Sequence, residues 1–151
     1  MNYSECIENA RTRIGNYCKA CPECNGRACK NQMPGPGAKG IGDTAIRNYD
    51  KWKEIRVQMD TIVENKPVDT SLELFGKKFL YPFFAGPVGA VGLHYGDCLD
   101  DVRYNDILVS ACAKYGIAAF TGDGLDSNVM VAATKAIGKT DGIGIPTVKP
   151  W

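Results

Sequence analysis

The chain has 151 residues, 44% of them hydrophobic and 23% charged, and its formal net charge is +1. These values are typical of one globular domain and give no reason to expect nucleic acid or an anionic membrane as a partner. No run of about 18 apolar residues occurs, so we expect no membrane span. The polar start MNYSECIENARTRIG lacks the apolar core of a secretory signal, and we expect a cytoplasmic protein.

The front of the chain predicts a helix followed by a cysteine-rich loop. Residues 2–16 predict one short helix. Residues 17–41 predict an irregular loop, because proline and glycine recur so densely in PGPGAKGIG that no regular element fits. We therefore divide the chain into an N-terminal segment, 1–41, and a second domain, 42–151.

Four of the seven cysteines lie within twelve residues of that loop. They are Cys18, Cys21, Cys24 and Cys29. An odd total argues against a complete disulfide framework, and clustered cysteines in a reducing compartment more often bind metal or do redox work. Four thiolates suffice for a tetrahedral Zn²⁺ site or an iron–sulfur cluster. Both readings stay open, as does a set of redox-exchanging thiols. The scattered Cys6, Cys98 and Cys112 are interpreted as ordinary free thiols.

The middle of the chain predicts a helix and a hairpin. Asp43 or Thr44 caps a helix through AIRNYDKWKEIR, and VQMDTIV is interpreted as extended chain. Between Thr70 and Pro82, apolar and polar residues alternate around Gly76, a pattern typical of a β-hairpin.

The last part of the chain alternates between predicted strands and predicted helices. The strands are FFAGPVGAVG, IAAFTGDG and GIGIPTV, and the helices between them are YNDILVSACAKYG and DSNVMVAATKAIGK. We expect Gly116 to end the first helix, and Asp126 or Ser127 to begin the second. The apolar face of the first helix is Ile107, Leu108, Ala111 and Cys112, and that of the second is Val129, Ala133 and Ile137. This order predicts an α/β fold with a buried parallel sheet.

Three parallel strands leave open edges, which a finished domain rarely leaves bare. A complete (β/α)8 barrel needs eight strands and roughly 250 residues. We therefore expect the front part of a larger α/β domain. Whether that part is a natural short product, a gene fragment or half of a split enzyme stays open.

From about Asn48 onward the sequence resembles the FMN-dependent 2-hydroxy-acid oxidases and dehydrogenases, the family of glycolate oxidase and lactate oxidase. The resemblance rests on NYDKWKEIRVQMDTIVENKPVDTSLELFGKKFLYPFFAGPVGAVGLHYGD and YNDILVSACAKYGIAAFTGDG, with AGPVG at the end of the first strand. It implies a TIM barrel, of which this chain supplies about the first three strands. The cysteine-rich helical segment and the hairpin precede them. It also implies FMN as cofactor and a small 2-hydroxy acid as substrate.

The resemblance assigns candidate flavin contacts to the ends of the three strands. By position these are Val88, Gly89, Thr121 and Thr147, where small residues let a flat ring lie against backbone. The family usually carries a glutamine and then a tyrosine at the positions of Thr147 and Lys149. Lys149 is the substrate candidate, because its point charge suits a carboxylate. The departure indicates a substrate other than a standard short 2-hydroxy acid.

No catalytic residue is identified in this chain. Its only histidine, His94, is expected in the loop after the first strand and does not match the family's base. We therefore expect the chain alone to be inactive, and to form a homo-oligomer or to pair with a complementing C-terminal half. Two alternatives are a barrel like the FMN-dependent isopentenyl-diphosphate isomerase and a small four-cysteine metal-binding redox or interaction module. Beside a flavin, the cysteines would offer an electron exit other than oxygen.

Overall fold

A computed structural model of the chain describes residues 1–15, 17–29, 43–124 and 126–148. Its described residues separate into two compact units. The first unit lies within Met1–Asn65 and Leu93–Cys98, and the second within Lys66–Gly92 and 99–148. The expected domain boundary after residue 41 falls among undescribed residues, so it stays a prediction.

The first unit contains two helices, α1 (Tyr3–Arg13) and α2 (Thr44–Trp52). Asn2 and Glu5 form a capping box at the start of α1: the Asn2 side chain accepts from the Glu5 N–H, and the Asn2 N–H donates back to the Glu5 carboxylate, each at 2.9 Å. Residues 17–29 contain no helix or strand, as the sequence predicts.

Both helices of the first unit end earlier than predicted. The α1 prediction of 2–16 was wrong at its end, because Ile14 is already extended and the Gly15 N–H donates to the Tyr95 carbonyl at 2.5 Å. The α2 prediction through Arg56 was also too long. There the Lys53 N–H bonds to the Asp50 carbonyl at 3.0 Å, which tightens the last turn into a 3₁₀ pattern that closes the helix.

The second unit begins with the predicted hairpin. Strands β1 (Leu72–Leu74) and β2 (Lys77–Phe79) pair antiparallel through a two-residue turn. The turn residues Phe75 and Gly76 have φ values of 52° and 70°. Two consecutive positive φ values are the signature of the type I′ turn, whose twist matches that of the strands.

Three short strands form the parallel sheet of the second unit. They are β3 (Phe84–Ala85), β4 (Ala118–Phe120) and β5 (Gly144–Ile145), in the order β3-β4-β5. Phe84 pairs with Ala118, and Ala119 pairs with Gly144. The predicted alternation of strand and helix is therefore present and is compatible with an α/β fold. The described residues show an open sheet rather than a closed barrel.

Helices α4 (Asp101–Tyr115) and α5 (Ser127–Lys139) connect these strands. Gly116 ends α4 in the left-handed conformation, with a φ of 68°, as predicted. Asp126 begins α5, and its side chain accepts from the Asn128 N–H at 2.8 Å. Val129 and Ala133 on the predicted face of α5 are buried, and Ile137 packs against the core.

The predicted face of α4 was partly wrong. The buried residues of α4 are Asn105, Val109 and Cys112, whereas Ile107 is half exposed and Ala111 is exposed. The true face follows the spacing i, i+4, i+7, which the apolar pattern hid because its first member is polar.

Small side chains let the helices approach the sheet closely. The core cluster consists of Val109, Cys112, Ala119 and Ala136. A Cβ atom placed on Gly144 would lie 2.6 Å from Cγ1 of Ile137, so α5 rests directly on the backbone of β5.

A short helix that the sequence did not predict, α3 (Val91–Tyr95), follows β3 and contains His94. The expectation that His94 lies in a loop is therefore corrected. The side chain of Asp101 supports the start of α3 by accepting from the Val91 N–H at 3.0 Å. None of the helices in the described part of the chain is long and apolar enough to cross a membrane.

Candidate functional site

The candidate site lies at the carboxyl ends of β3, β4 and β5. Parallel strands in one sheet end at the same edge, which is where parallel barrels place their chemistry. The loop after β3 carries Val88 and Gly89, the turn after β4 carries Thr121 and Gly122, and Thr147 follows β5.

Two glycines let the loop after β3 touch the turn after β4. A Cβ atom on Gly122 would lie 1.7 Å from the carbonyl oxygen of Val88, and one on Gly89 would lie 2.2 Å from that of Asp123. No real side chain tolerates either distance. Glycine is therefore required at both positions by this close approach of backbone to backbone.

Thr121 ties the second strand end to the third. Its side chain is fully buried, and its Oγ1 accepts from the Thr147 N–H at 3.4 Å. Its own N–H donates to the Ile145 carbonyl at 3.0 Å. The structure thus brings together Val88, Gly89, Thr121 and Thr147, the four predicted flavin contacts.

Sequence reasoning missed Asn105, which supports this edge from below. The residue is fully buried on α4, and its Oδ1 accepts from the Gly122 N–H at 2.9 Å. Its Nδ2 is buried without a hydrogen-bond partner among the described residues. The available signal was a polar residue four positions before Val109 and seven before Cys112, at the start of a buried stripe.

Open space adjoins the loop at Gly86. A Cβ atom on Gly86 would meet nothing within 4 Å, and the residue is exposed. A cavity of about 130 Å³ also opens at the ends of β4 and β5, lined by Gly122, Asp123, Gly124, Asp126, Ser127, Val129, Met130, Thr147 and Val148. Ligand pockets for small molecules usually measure about 300–1,000 Å³, so this cavity has room for only part of a cofactor.

The charge around the cavity is acidic. Asp123 and Asp126 line it, and none of the described lining residues is cationic. Lys149, the predicted substrate contact, lies outside the described residues. The edge therefore suits an uncharged flat ring against glycine backbone and offers no cationic cluster, among its described residues, for a phosphate. The residues present fit the ring portion of FMN.

His94 and the cysteine cluster belong to the first unit. The His94 ring is half-buried and meets the Tyr95 ring edge-on, with 6.3 Å between centroids. All four clustered cysteines are free thiols; Cys24 is exposed and the other three are half-buried. The described residues include these four cysteines. With the side chains in their present positions, no three potential ligands among the described residues form a group that could hold a metal ion.

A family model described as FMN-dependent dehydrogenase matches residues 35–140. The chain therefore belongs to the FMN-dependent dehydrogenase family. The match includes Val88, Gly89 and Thr121, but it leaves out the cysteine cluster, Thr147 and Lys149. No significant match to a curated protein or to a solved structure was found.

Proposed function

We propose that the protein is an FMN-dependent oxidase or dehydrogenase of a 2-hydroxy acid, and that β3, β4 and β5 are the first three strands of its barrel. The observation that carries the proposal is the convergence of the strand ends. Gly89 and Gly122 bring two backbone segments into contact, and Thr121 joins the third. Family membership supplies the cofactor class.

FMN, when bound, supplies a two-electron acceptor. Each residue at the strand ends then has a separate task. Val88 and Gly89 offer backbone near Gly86, where a Cβ atom would meet nothing within 4 Å, and the flat ring is proposed to lie in that space. Asn105 and Thr121 hold the backbone of the second and third strand ends in place, Asn105 through a buried hydrogen bond and Thr121 through a partly buried one.

The substrate end of the site is proposed from sequence alone. Lys149 would meet the substrate carboxylate as a point charge. The acid–base group that removes the proton from the hydroxyl-bearing carbon must come from outside the residues discussed, since His94 does not match the family's base. A phosphate site likewise belongs near the strands that close such a barrel. A complementing C-terminal half would supply these parts. The chain would pair with that half or form a homo-oligomer, in a cytoplasmic enzyme.

The test is anaerobic mixing of flavin-loaded holoenzyme, with all barrel strands present, and a panel of 2-hydroxy acids. The expected result is loss of the oxidised flavin absorption together with formation of one 2-oxo acid per flavin. Flavin that stays oxidised with every 2-hydroxy acid would contradict the substrate class.

A second candidate follows from the departure at Thr147 and Lys149, where the family usually has glutamine and tyrosine. A barrel like the isopentenyl-diphosphate isomerase also uses FMN but causes no net oxidation of its substrate. Isomerised isopentenyl diphosphate without 2-oxo acid formation would favour this candidate. A separate metal-binding role for the four cysteines is independent of both.

A further inference from the structure

The cysteine loop, residues 17–29, has no task in the proposed flavin chemistry and lies outside the family match. We propose that its four thiols bind one divalent ion of the Zn²⁺ class as a tetrahedral thiolate site. The ligands are Cys18, Cys21, Cys24 and Cys29. Contacts with α1 and α2 hold the loop in place, and the site does not depend on the flavin.

Helix α1 fixes the loop on either side of Cys21. The Tyr3 hydroxyl donates to the Pro22 carbonyl at 2.5 Å, and the Arg11 Nε donates to the Ala20 carbonyl at 3.3 Å. Ala20 is buried although it lies in a loop. The backbone around the second ligand is therefore set by contacts that leave its thiol free.

Helix α2 holds the loop around Cys24. The Tyr49 hydroxyl donates to Oε2 of Glu23 at 2.6 Å, and this hydrogen bond raises the pKa of the Tyr49 phenol. A Cβ atom on Gly26 would lie 2.8 Å from Cβ of Ala45, so the loop lies directly against α2 there. The φ of 71° at Gly26 independently favours glycine.

The turn between the first two ligands directs a backbone N–H toward sulfur. Ala20 has a φ of 44°, unusual for a residue with a side chain, and its N–H lies 3.5 Å from Sγ of Cys18. This contact places a backbone donor beside the sulfur of the first ligand.

The four thiols are not bonded to one another, and they do not lie together as a ligand group. None of the four is in a disulfide, and no three of them form a ligand group as their side chains stand. Binding therefore requires the four thiols to move together from the positions that the structure shows. Each ligand passes its proton to solvent on binding, so affinity should fall as the pH is lowered.

Ligand chemistry and charge select the ion. Thiolate ligands favour Zn²⁺, Cu⁺ and iron–sulfur clusters over hard cations. Four thiolates and one divalent ion leave a net negative charge, and Arg11, which donates to the Ala20 carbonyl, brings a cation to the loop. The wider gap before Cys29, with no proline after it, departs from the ferredoxin cluster spacing, so we assign a single ion rather than a cluster.

The test is titration of the reduced full chain with Co²⁺, followed by Zn²⁺ competition, with cobalt–thiolate charge-transfer absorption as the signal. We expect one ion per chain. Cys21→Ser and Cys24→Ser should each weaken binding by more than about 100-fold, since even outer contacts of metal ligands are worth about 10–100-fold. Cys6→Ser and Cys98→Ser are matched controls, because both are exposed thiols in the same unit, and they should bind as the parent does.

Tyr49→Phe keeps all four ligands and removes only the hydrogen bond to Glu23. It should weaken Co²⁺ binding by about 10-fold, and far-ultraviolet circular dichroism reports whether any variant has lost its helices. Absence of cobalt–thiolate absorption in the parent, or equal losses in ligand and control variants, would overturn the proposal. An iron chromophore in the purified protein that disappears with Cys21→Ser would overturn the single-ion assignment.

Discussion

Individual residues at the strand ends are constrained by distance rather than by side-chain chemistry. Gly89 and Gly122 are required because they have no Cβ atom. At each position a carbonyl oxygen of the other segment lies too close to where a Cβ atom would be. The side chains of Thr121 and Asn105 each accept one hydrogen bond from backbone, partly buried at Thr121 and buried at Asn105. The candidate site is therefore mainly a backbone arrangement that a few residues permit.

Gly122→Ala should destabilise the second unit by about 1–3 kcal/mol, because the new methyl group forces the Val88 carbonyl away. Gly138→Ala is the control. A Cβ atom there meets nothing within 4 Å, and alanine should stabilise helix α5 by about 0.5–1 kcal/mol. Urea denaturation of both variants measures the difference, and equal stabilities would refute the close approach of the two segments.

Cys112 should react far more slowly with iodoacetamide than the exposed Cys6 and Cys98 do. Burial raises the pKa of the Cys112 thiol, so less of the reactive thiolate is present at neutral pH, and the protein around it blocks access. The difference should narrow as the pH rises toward that raised pKa. Mass spectrometry of the labelled protein gives the rates, and comparable labelling of all three in folded protein would be inconsistent with the core described here.

At the scale of elements, the sequence predicted most of what local chemistry determines. Gly116, and Asp126 or Ser127, were predicted as helix boundaries because a left-handed cap and an N-terminal cap have strong residue preferences, and Asp126 is the cap that the structure shows. The parallel sheet was predicted from the alternation of apolar runs and amphipathic helices.

Tertiary contacts decided what the sequence did not show. Helix α4 turns a polar residue, Asn105, toward the sheet because the Gly122 N–H needs an acceptor there. Helix α1 stops short because Gly15 bonds to the Tyr95 carbonyl, far along the chain. The four flavin candidates came from family resemblance, and their convergence required the contacts between strand ends.

Asp126→Ala should cost about 1 kcal/mol of stability, because α5 loses the side-chain bond to the Asn128 N–H. Asp43→Ala is a matched comparison: Asp43 begins α2 but makes no side-chain cap bond, and its loss should change stability by less than about 0.5 kcal/mol. Thermal or urea unfolding of each variant tests the pair. The cap assignment would be wrong if Asp43→Ala were the more damaging change.

At the scale of the whole molecule, unpaired strand edges and exposed apolar side chains are the surfaces that another chain would cover. Strands β3 and β5 are each paired on one side only within the described sheet. Segment 55–68, which contains no helix or strand, exposes large apolar side chains, with Val57 at 92% and Ile62 at 96%. Unpaired strand edges and exposed apolar groups both favour association.

We therefore expect the 151-residue chain to self-associate. Light scattering after size exclusion should show dimers or larger species, increasing with concentration. Sulfate or phosphate salts should strengthen the association, because they favour burial of the exposed apolar side chains. A concentration-independent monomer with a cooperative thermal transition at high temperature would show that the second unit is complete as it stands.

The central claim is that the ends of β3, β4 and β5 receive the ring of FMN, and the most direct measurement is FMN affinity with a side chain placed in the open space. A Cβ atom at Gly86 would meet nothing within 4 Å, so Gly86→Val should place its side chain in that space and leave the fold unchanged. FMN binding is measured by quenching of flavin fluorescence. The parent chain and the Gly138→Ala control should bind FMN weakly and saturably. Gly86→Val should bind FMN at least about 10-fold more weakly, which is equivalent to about 1.4 kcal/mol of binding free energy. Equal FMN affinity in the parent and in Gly86→Val, or no binding by either, would contradict the claim.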